Sequence, residues 1–155
     1  MHPRAEEFSE QAATNYGLDV DVHEFPEGTK TAEDAAAAVG CDVAQIASGL
    51  AFEADGLVVV VTSGANRVSE AKLAAERGVD DAGMADPDDI KATLGWSIGG
   101  VPPFCHATDV PVYMDETLTG FETVWAAAGT PEAVFPIDPE VLREHAEATV
   151  ASLAE

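Results

Sequence analysis

Apolar and polar residues alternate along Leu18-Asp19-Val20-Asp21-Val22-His23-Glu24-Phe25. That two-residue period predicts a half-buried strand with Leu18, Val20 and Val22 inward and His23 on the polar side. The preceding residues 4–16 carry a helical mix that stops at Gly17, a natural C-cap. After a turn at Pro26-Glu27-Gly28, Thr31-Ala32-Glu33-Asp34 opens an alanine-rich helix to Gly40. Thr31 is its N-cap, and the acids of its first turn suit the helix dipole. A short helix over 42–45 follows.

Two apolar runs, Ile46 to Ala54 and Leu57 to Thr62, flank Asp55-Gly56. Asp-Gly between such runs predicts a type I′ hairpin, and the unbroken valines of the second run predict a strand covered on both faces. Ser63 to Arg67 is a loop. Ser69 caps a helix through Arg77, ended by Gly78, and residues 82–85 form a short strand. Asp86-Pro87 is an N-cap followed by a proline at the first helical position, opening a helix to Leu94. Strands follow over 110–115, 121–127 and 133–137, and Asp138-Pro139 starts a last amphipathic helix reaching Leu153. Single helices alternate with hairpins. The fold class is therefore α+β: a mixed curved sheet or incomplete barrel of about six or seven strands, with helices packed outside. Neither repeats nor linkers break residues 1–155, which read as one domain.

Composition changes the picture in one respect. Only 7 Lys and Arg face 29 Asp and Glu, a net charge of −22, yet 46% of residues are hydrophobic. So many apolar residues exclude an acidic disordered chain. The acids are scattered rather than gathered in a tail, as on the surface of a halophile's protein. In molar salt the Debye length is about 3 Å, so the self-repulsion is screened. At such salt a missing basic patch does not exclude RNA, because short-range contacts carry recognition instead of phosphate attraction. There is no run long enough for a membrane span and no signal-peptide pattern, so a cytoplasmic location is expected.

Candidate chemistry is sparse. Cys41 and Cys105 form no Cys-x-x-Cys pair, and the histidines are scattered, so no zinc spacing exists. Asp86, Asp88 and Asp89 look like a metal cluster but stand where a helix N-terminus collects acids anyway. Cys105 and His106 are neighbours, which in extended chain point apart and make a poor nucleophile–base pair. No metal or other cofactor is expected. The outstanding segment runs from Gly95 to His106, with three glycines and two prolines, and almost no charge. Such a loop is preset rather than floppy, and its amides suit a carbonyl or an anion. A plain turn between helix and strand fits the same residues. His106 as a groove residue and Asn66 as a hydrogen-bonding loop residue are further candidates.

The order of segments goes further. Thr31 to Ala36, Val39-Gly40, Gln45-Ile46 to Phe52, Ser63-Gly64 with Arg67 to Ala74, Gly99-Gly100-Val101-Pro102-Pro103-Phe104, Asp115 and Ala128-Gly129 together resemble the YbaK/EbsC family. These are aminoacyl-tRNA deacylases related to the editing insertion of bacterial prolyl-tRNA synthetase. The resemblance spans about residues 15–150 and rests most on the glycine–proline loop.

The resemblance implies hydrolysis of the ester between a wrong amino acid and the terminal ribose of tRNA, assisted by the substrate itself. It implies that Gly99, Gly100 and Val101 present backbone amides to the ester, with Ser48 in the catalytic position opposite. It further implies substrate contacts from Thr31, Ser63, Gly64, Asn66, Pro103, Phe104 and His106. Preset N–H groups can stabilise a developing oxyanion without reorganising, which accounts for the lack of a visible triad. The implied partners are the acceptor end of aminoacyl-tRNA and, further, an aminoacyl-tRNA synthetase; DNA and membranes are not expected. Two departures stand out. The family's usual lysine in a Gln-Ile-x-Lys-x-Leu pattern is Ser48 here, a shorter side chain without charge. Cys105 stands where a glycine is usual. The alternative reading is a non-catalytic relative that binds tRNA ends, a nucleotide or a protein partner.

Overall fold

Seven of the eight residues of β2 (Ile46–Glu53) pair antiparallel with β3 (Leu57–Ser63), and the rest of the sheet grows from this hairpin. The structure is a computed structural model that describes residues 2–25 and 31–155. The turn expected at Pro26-Glu27-Gly28 lies outside the described residues, as does Lys30. The register places Glu53 opposite Leu57, so three residues rather than two form the hairpin loop. Asp55 and Gly56 both take positive φ there, which explains the Asp-Gly signal.

The chain order is α1 (Pro3–Tyr16), β1 (His23–Glu24), α2 (Ala32–Val39), β2, β3, α3 (Glu70–Arg77), β4 (Gly83–Met84), α4 (Pro87–Leu94), β5 (Val112–Asp115), β6 (Val124–Ala127), β7 (Ala133–Ile137), α5 (Pro139–Ala146) and β8 (Thr149–Ala151). The sheet runs β1-β7-β6-β2-β3-β5-β8, with β4 added to β2. β2–β6, β3–β5 and β5–β8 are parallel and the other pairs antiparallel, which makes a mixed sheet. The helices begin as the sequence predicts: Thr31 accepts from the Asp34 N–H at 3.1 Å, Ser69 from Lys72 at 3.2 Å and Asp86 from Asp88 at 2.8 Å.

Two local expectations fail for identifiable reasons. The last helix stops at Ala146, where Glu147 takes a left-handed φ of 51°, and the residues beyond form β8. Thr149 and Val150 are β-branched and fit a strand, and β5 offers them a parallel edge. This is why the sheet has eight strands among the described residues and not six or seven. The alternating run from Leu18 is strand only at His23–Glu24, opposite Val134 and Ala133. Leu18, Val20 and Val22 pack on the core without pairing, so the alternation there reports burial and not a ladder.

The sheet has two covered faces. On one, Ala47, Ala51, Val59, Val61, Met114, Ala126 and Phe135 meet Phe8 of α1 and the aromatic residues Trp96 and Phe104. On the other, Phe52, Val58, Val60 and Tyr113 meet Leu73 of α3, while Ile46 meets Ala35 and Ala36 of α2.

Candidate functional site

The β2–β6 pairing consists of Ile46 with Trp125 and Ala47 with Ala126, and it ends there. Past that point Ser48, Gly49 and Leu50 on β2 and Ala127 on β6 line a cleft of about 210 Å³. Thr31, Ala32 and Ala35 at the start of α2 cover it, and Gly99, Thr130 and Pro131 close its end. By strand alternation Ser48 shares a face with Ile46 and Leu50, whereas Gly49 faces the other side, toward the glycine–proline loop.

The loop is built on backbone contacts. Gly100 donates its N–H to the Ser97 carbonyl at 3.0 Å, and Gly99 between them has φ +86°, the third position of a type II turn, which favours glycine. A Cβ on Gly100 would lie 2.7 Å from the Thr130 Cα, and one on Gly49 would lie 2.4 Å from the Val101 carbonyl oxygen. Only glycine permits these two crossings. Val101 to Cys105 are all buried. Phe104 packs on Phe8, Tyr16 and Phe135, with centroids 5.8, 5.0 and 6.1 Å away. The Trp96 indole donates to the Cys105 carbonyl at 2.9 Å, and His106 Nε2, facing the Pro102 carbonyl at 2.8 Å, carries the donated hydrogen.

The described lining of the cleft carries no ionisable side chain: none of these residues is Asp, Glu, His, Cys, Lys or Arg. Burial disfavours the charged form of both ionisable groups in the adjoining loop. Burial pushes the Cys105 thiol up to about 12, and burial lowers the His106 imidazole despite its bond to Pro102. Cys105 itself has φ +67°, a conformation that glycine adopts without cost, which accounts for a glycine being usual at this place in the resembled family.

Ser63 and Asn66 are engaged elsewhere. Asn66 Nδ2 donates to Asp115 Oδ2 and to Thr117 Oγ1, both at 2.9 Å. The Ser63 N–H donates to Asp115 at 3.3 Å, and the Ser63 hydroxyl donates to the Ala44 carbonyl at 2.7 Å. Burial alone would raise the Asp115 carboxyl. The bonds from Asn66, Thr117 and Ser63 outweigh it and hold the group below its ordinary range. Gly64, in the same loop, lies against α2: a Cβ there would meet Ala32 at 2.7 Å.

Of the residues singled out from sequence, the cleft therefore brings together Thr31, Ser48 and Gly99. Gly100, Val101, Pro103 and Phe104 stand behind it, in the loop body and core, and His106 braces the loop. Ser63, Gly64 and Asn66 form the separate knot around Asp115. Lys72 does not line the cleft, and its ammonium donates to the Ala154 carbonyl. Sequence reading missed Trp125, Thr130 and Val134 as lining residues.

Residues 26–145 match the family model of the aminoacyl-tRNA editing domain. YwhH of Bacillus subtilis strain 168, an uncharacterised protein, is 33% identical over 133 residues, covering 84% of each chain. A candidate trans-editing enzyme for prolyl-tRNA synthetase, known by its crystal structure, has a TM-score of 0.95 to this chain. The two are 38% identical, over 100% of this chain and 99% of that one. The hypothetical protein APE2540 is similar in fold, with a TM-score of 0.85 at 24% identity over 96% of this chain and 99% of its own.

Proposed function

Because the chain belongs to the aminoacyl-tRNA editing domain family, we propose that it is a trans-editing hydrolase that cleaves the ester between a wrong amino acid and the terminal ribose of tRNA. The observation that carries this reading is the cleft walled by Gly99 and Ser48, whose described lining is uncharged. Its size and mostly apolar lining suit an aminoacyl group with a small uncharged side chain, and its polar groups are few.

The chemistry follows from what lines the cleft. No general base stands among the described lining residues, which supports the substrate assistance that the resemblance implies: water attacks the ester carbonyl, and the neighbouring ribose hydroxyl relays its proton to the departing ribose oxygen. The protein's part is to orient the ester and to stabilise the charge that develops on its carbonyl oxygen. Gly99 is the loop residue at the cleft wall. The Gly100 N–H closes the turn on Ser97, so it holds Gly99 in place instead of meeting the ester. Among the described lining residues, Thr31, Ser48 and Thr130 carry hydroxyls and Trp125 an indole N–H that can donate to a bound ester. The acceptor end of tRNA is the partner this requires; an aminoacyl-tRNA synthetase is a further one.

The test is deacylation of a panel of mischarged tRNAs in molar KCl, the condition that a net charge of −22 favours. At least one aminoacyl-tRNA is expected to lose its amino acid faster than in buffer. One observation favours a second reading, a non-catalytic module that binds tRNA ends, a nucleotide or a protein partner: Ser48 gives the cleft no cation. A flat panel with RNA binding retained would establish that reading. Ser48→Lys separates the cases further: it raises the rate if the missing charge limits hydrolysis.

A further inference from the structure

On the other side of the Thr130-Pro131 turn that closes the cleft lies a second cavity, of about 300 Å³. Its lining includes His2 and Arg4 from the start of α1, Lys91 from α4, and Ser97 from the turn that holds Gly99. Thr130 and Pro131 line both spaces. The two spaces are therefore neighbours across this turn.

The charges there run against the rest of the chain. Acidic residues outnumber Lys and Arg by 29 to 7 overall, yet two of the seven, with a histidine, line this one cavity. Arg4 is fixed: its guanidinium lies 4.2 Å from the Trp96 ring centroid, bonds to the Gly95 carbonyl and pairs with Glu7. His2 has Glu132 3.7 Å away. Lys91 differs, because its ammonium has no side-chain or carbonyl partner among the described residues. In so acidic a chain a lysine left without a carboxylate points to an anion from outside. A rigid guanidinium beside a free ammonium and a serine hydroxyl suits a phosphodiester.

We propose that this second cavity is a phosphate subsite, in which Lys91 and Arg4 take a phosphodiester of the RNA strand whose 3′ end occupies the cleft. The inference rests on the editing reading only in its choice of RNA as the phosphate's carrier. It also supplies what the described lining of the cleft lacks: an uncharged lining can select an aminoacyl group but does not hold a charged strand, and Lys91 adds a cation beside the shared Thr130-Pro131 wall.

The test measures binding of a short unacylated RNA ending in CCA, by fluorescence anisotropy over a KCl series in which the protein stays folded. Lys91→Ala is expected to weaken binding about tenfold and to lower the salt slope by about 0.7, one phosphate contact on a single strand. Lys91→Arg restores both. Lys72→Ala makes the same change in net charge away from the cavity and leaves binding unaltered. Equal binding by Lys91→Ala, equal losses in both alanine variants, or no binding by the wild type would each overturn the subsite. Because the RNA carries no ester, these outcomes are independent of the deacylation panel: a flat panel with Lys91-dependent binding ends the hydrolase reading and keeps the subsite.

Discussion

The segment from Gly95 to His106 and the knot around Asp115 are both rigid, but they are built from opposite materials. The first turns on backbone crossings that only glycine permits, with Phe104, Trp96 and His106 packed and bonded behind them. Gly49 lets the Val101 carbonyl reach β2, and Gly100 lets the loop lie on Thr130. The second is held by one side chain, the Asp115 carboxylate, 1% exposed, on which the Asn66 and Thr62 side chains and the Ser63 and Thr117 backbone N–H groups converge. Backbone crossings fix a position whatever the pH or salt. A hydrogen-bonded carboxylate fixes it only while it stays ionised. The part nearest the cleft thus has the sturdier construction, and the part that steadies α2 through Gly64 has the one that titrates.

The largest expected effect comes from filling a crossing. Gly49→Ala puts a methyl group where the Val101 oxygen now lies, so the strand and loop must separate. A loss of about 3 kcal/mol in urea denaturation is expected, together with loss of any deacylation. An unaltered midpoint would show that the loop yields easily and that its glycines are not structural.

The next effect is smaller and depends on pH. Asp115→Asn is expected to cost about 2 kcal/mol at neutral pH. The folded carboxyl lies below its ordinary value of 3.8. Its contribution is therefore complete above that value and is lost as pH falls through the folded one. The gap between wild type and variant should hold at neutral pH and close below about 3.8. A gap constant with pH would mean that ionisation of Asp115 contributes nothing.

Cys105 gives the smallest effect and refines the comparison within the loop. Cys105→Val forces a β-branched side chain to φ +67° and should cost about 1–2 kcal/mol, whereas Cys105→Gly relieves the strain. With a thiol raised to about 12 and buried, Cys105 should resist alkylation at neutral pH until the chain unfolds.

These two regions also explain what could be read before any coordinates. The loop was legible because glycine and proline declare backbone geometry in their identity. Helix starts were legible for the same reason, since Thr31, Ser69 and Asp86 act on residues only two or three positions away. The knot was half legible. Ser63, Gly64 and Asn66 stood out, but their shared partner lies 49 to 52 positions along the chain from Ser63 and Asn66, and no local pattern reports such a contact. The cleft was legible only at Thr31, Ser48 and Gly99, because its walls depend on where β2 and β6 stop pairing. β8 was missed because the helix before it is strongly amphipathic and its three residues are too few to show a period.

The fit between Arg4, Trp96 and the loop bears on where this unit can be cut. The recognisable family signature covers residues 26–145. Phe8 and Arg4, which back Phe104 and Trp96, precede it, and β8, which pairs Asp115 with Ala151, follows it. Heredity, as written in the signature, and mechanical support therefore have different borders. Grafting only the signature into another protein would carry over the glycines but not the buttresses that give them a shape. Any transplant of this module should take α1 and β8 with it.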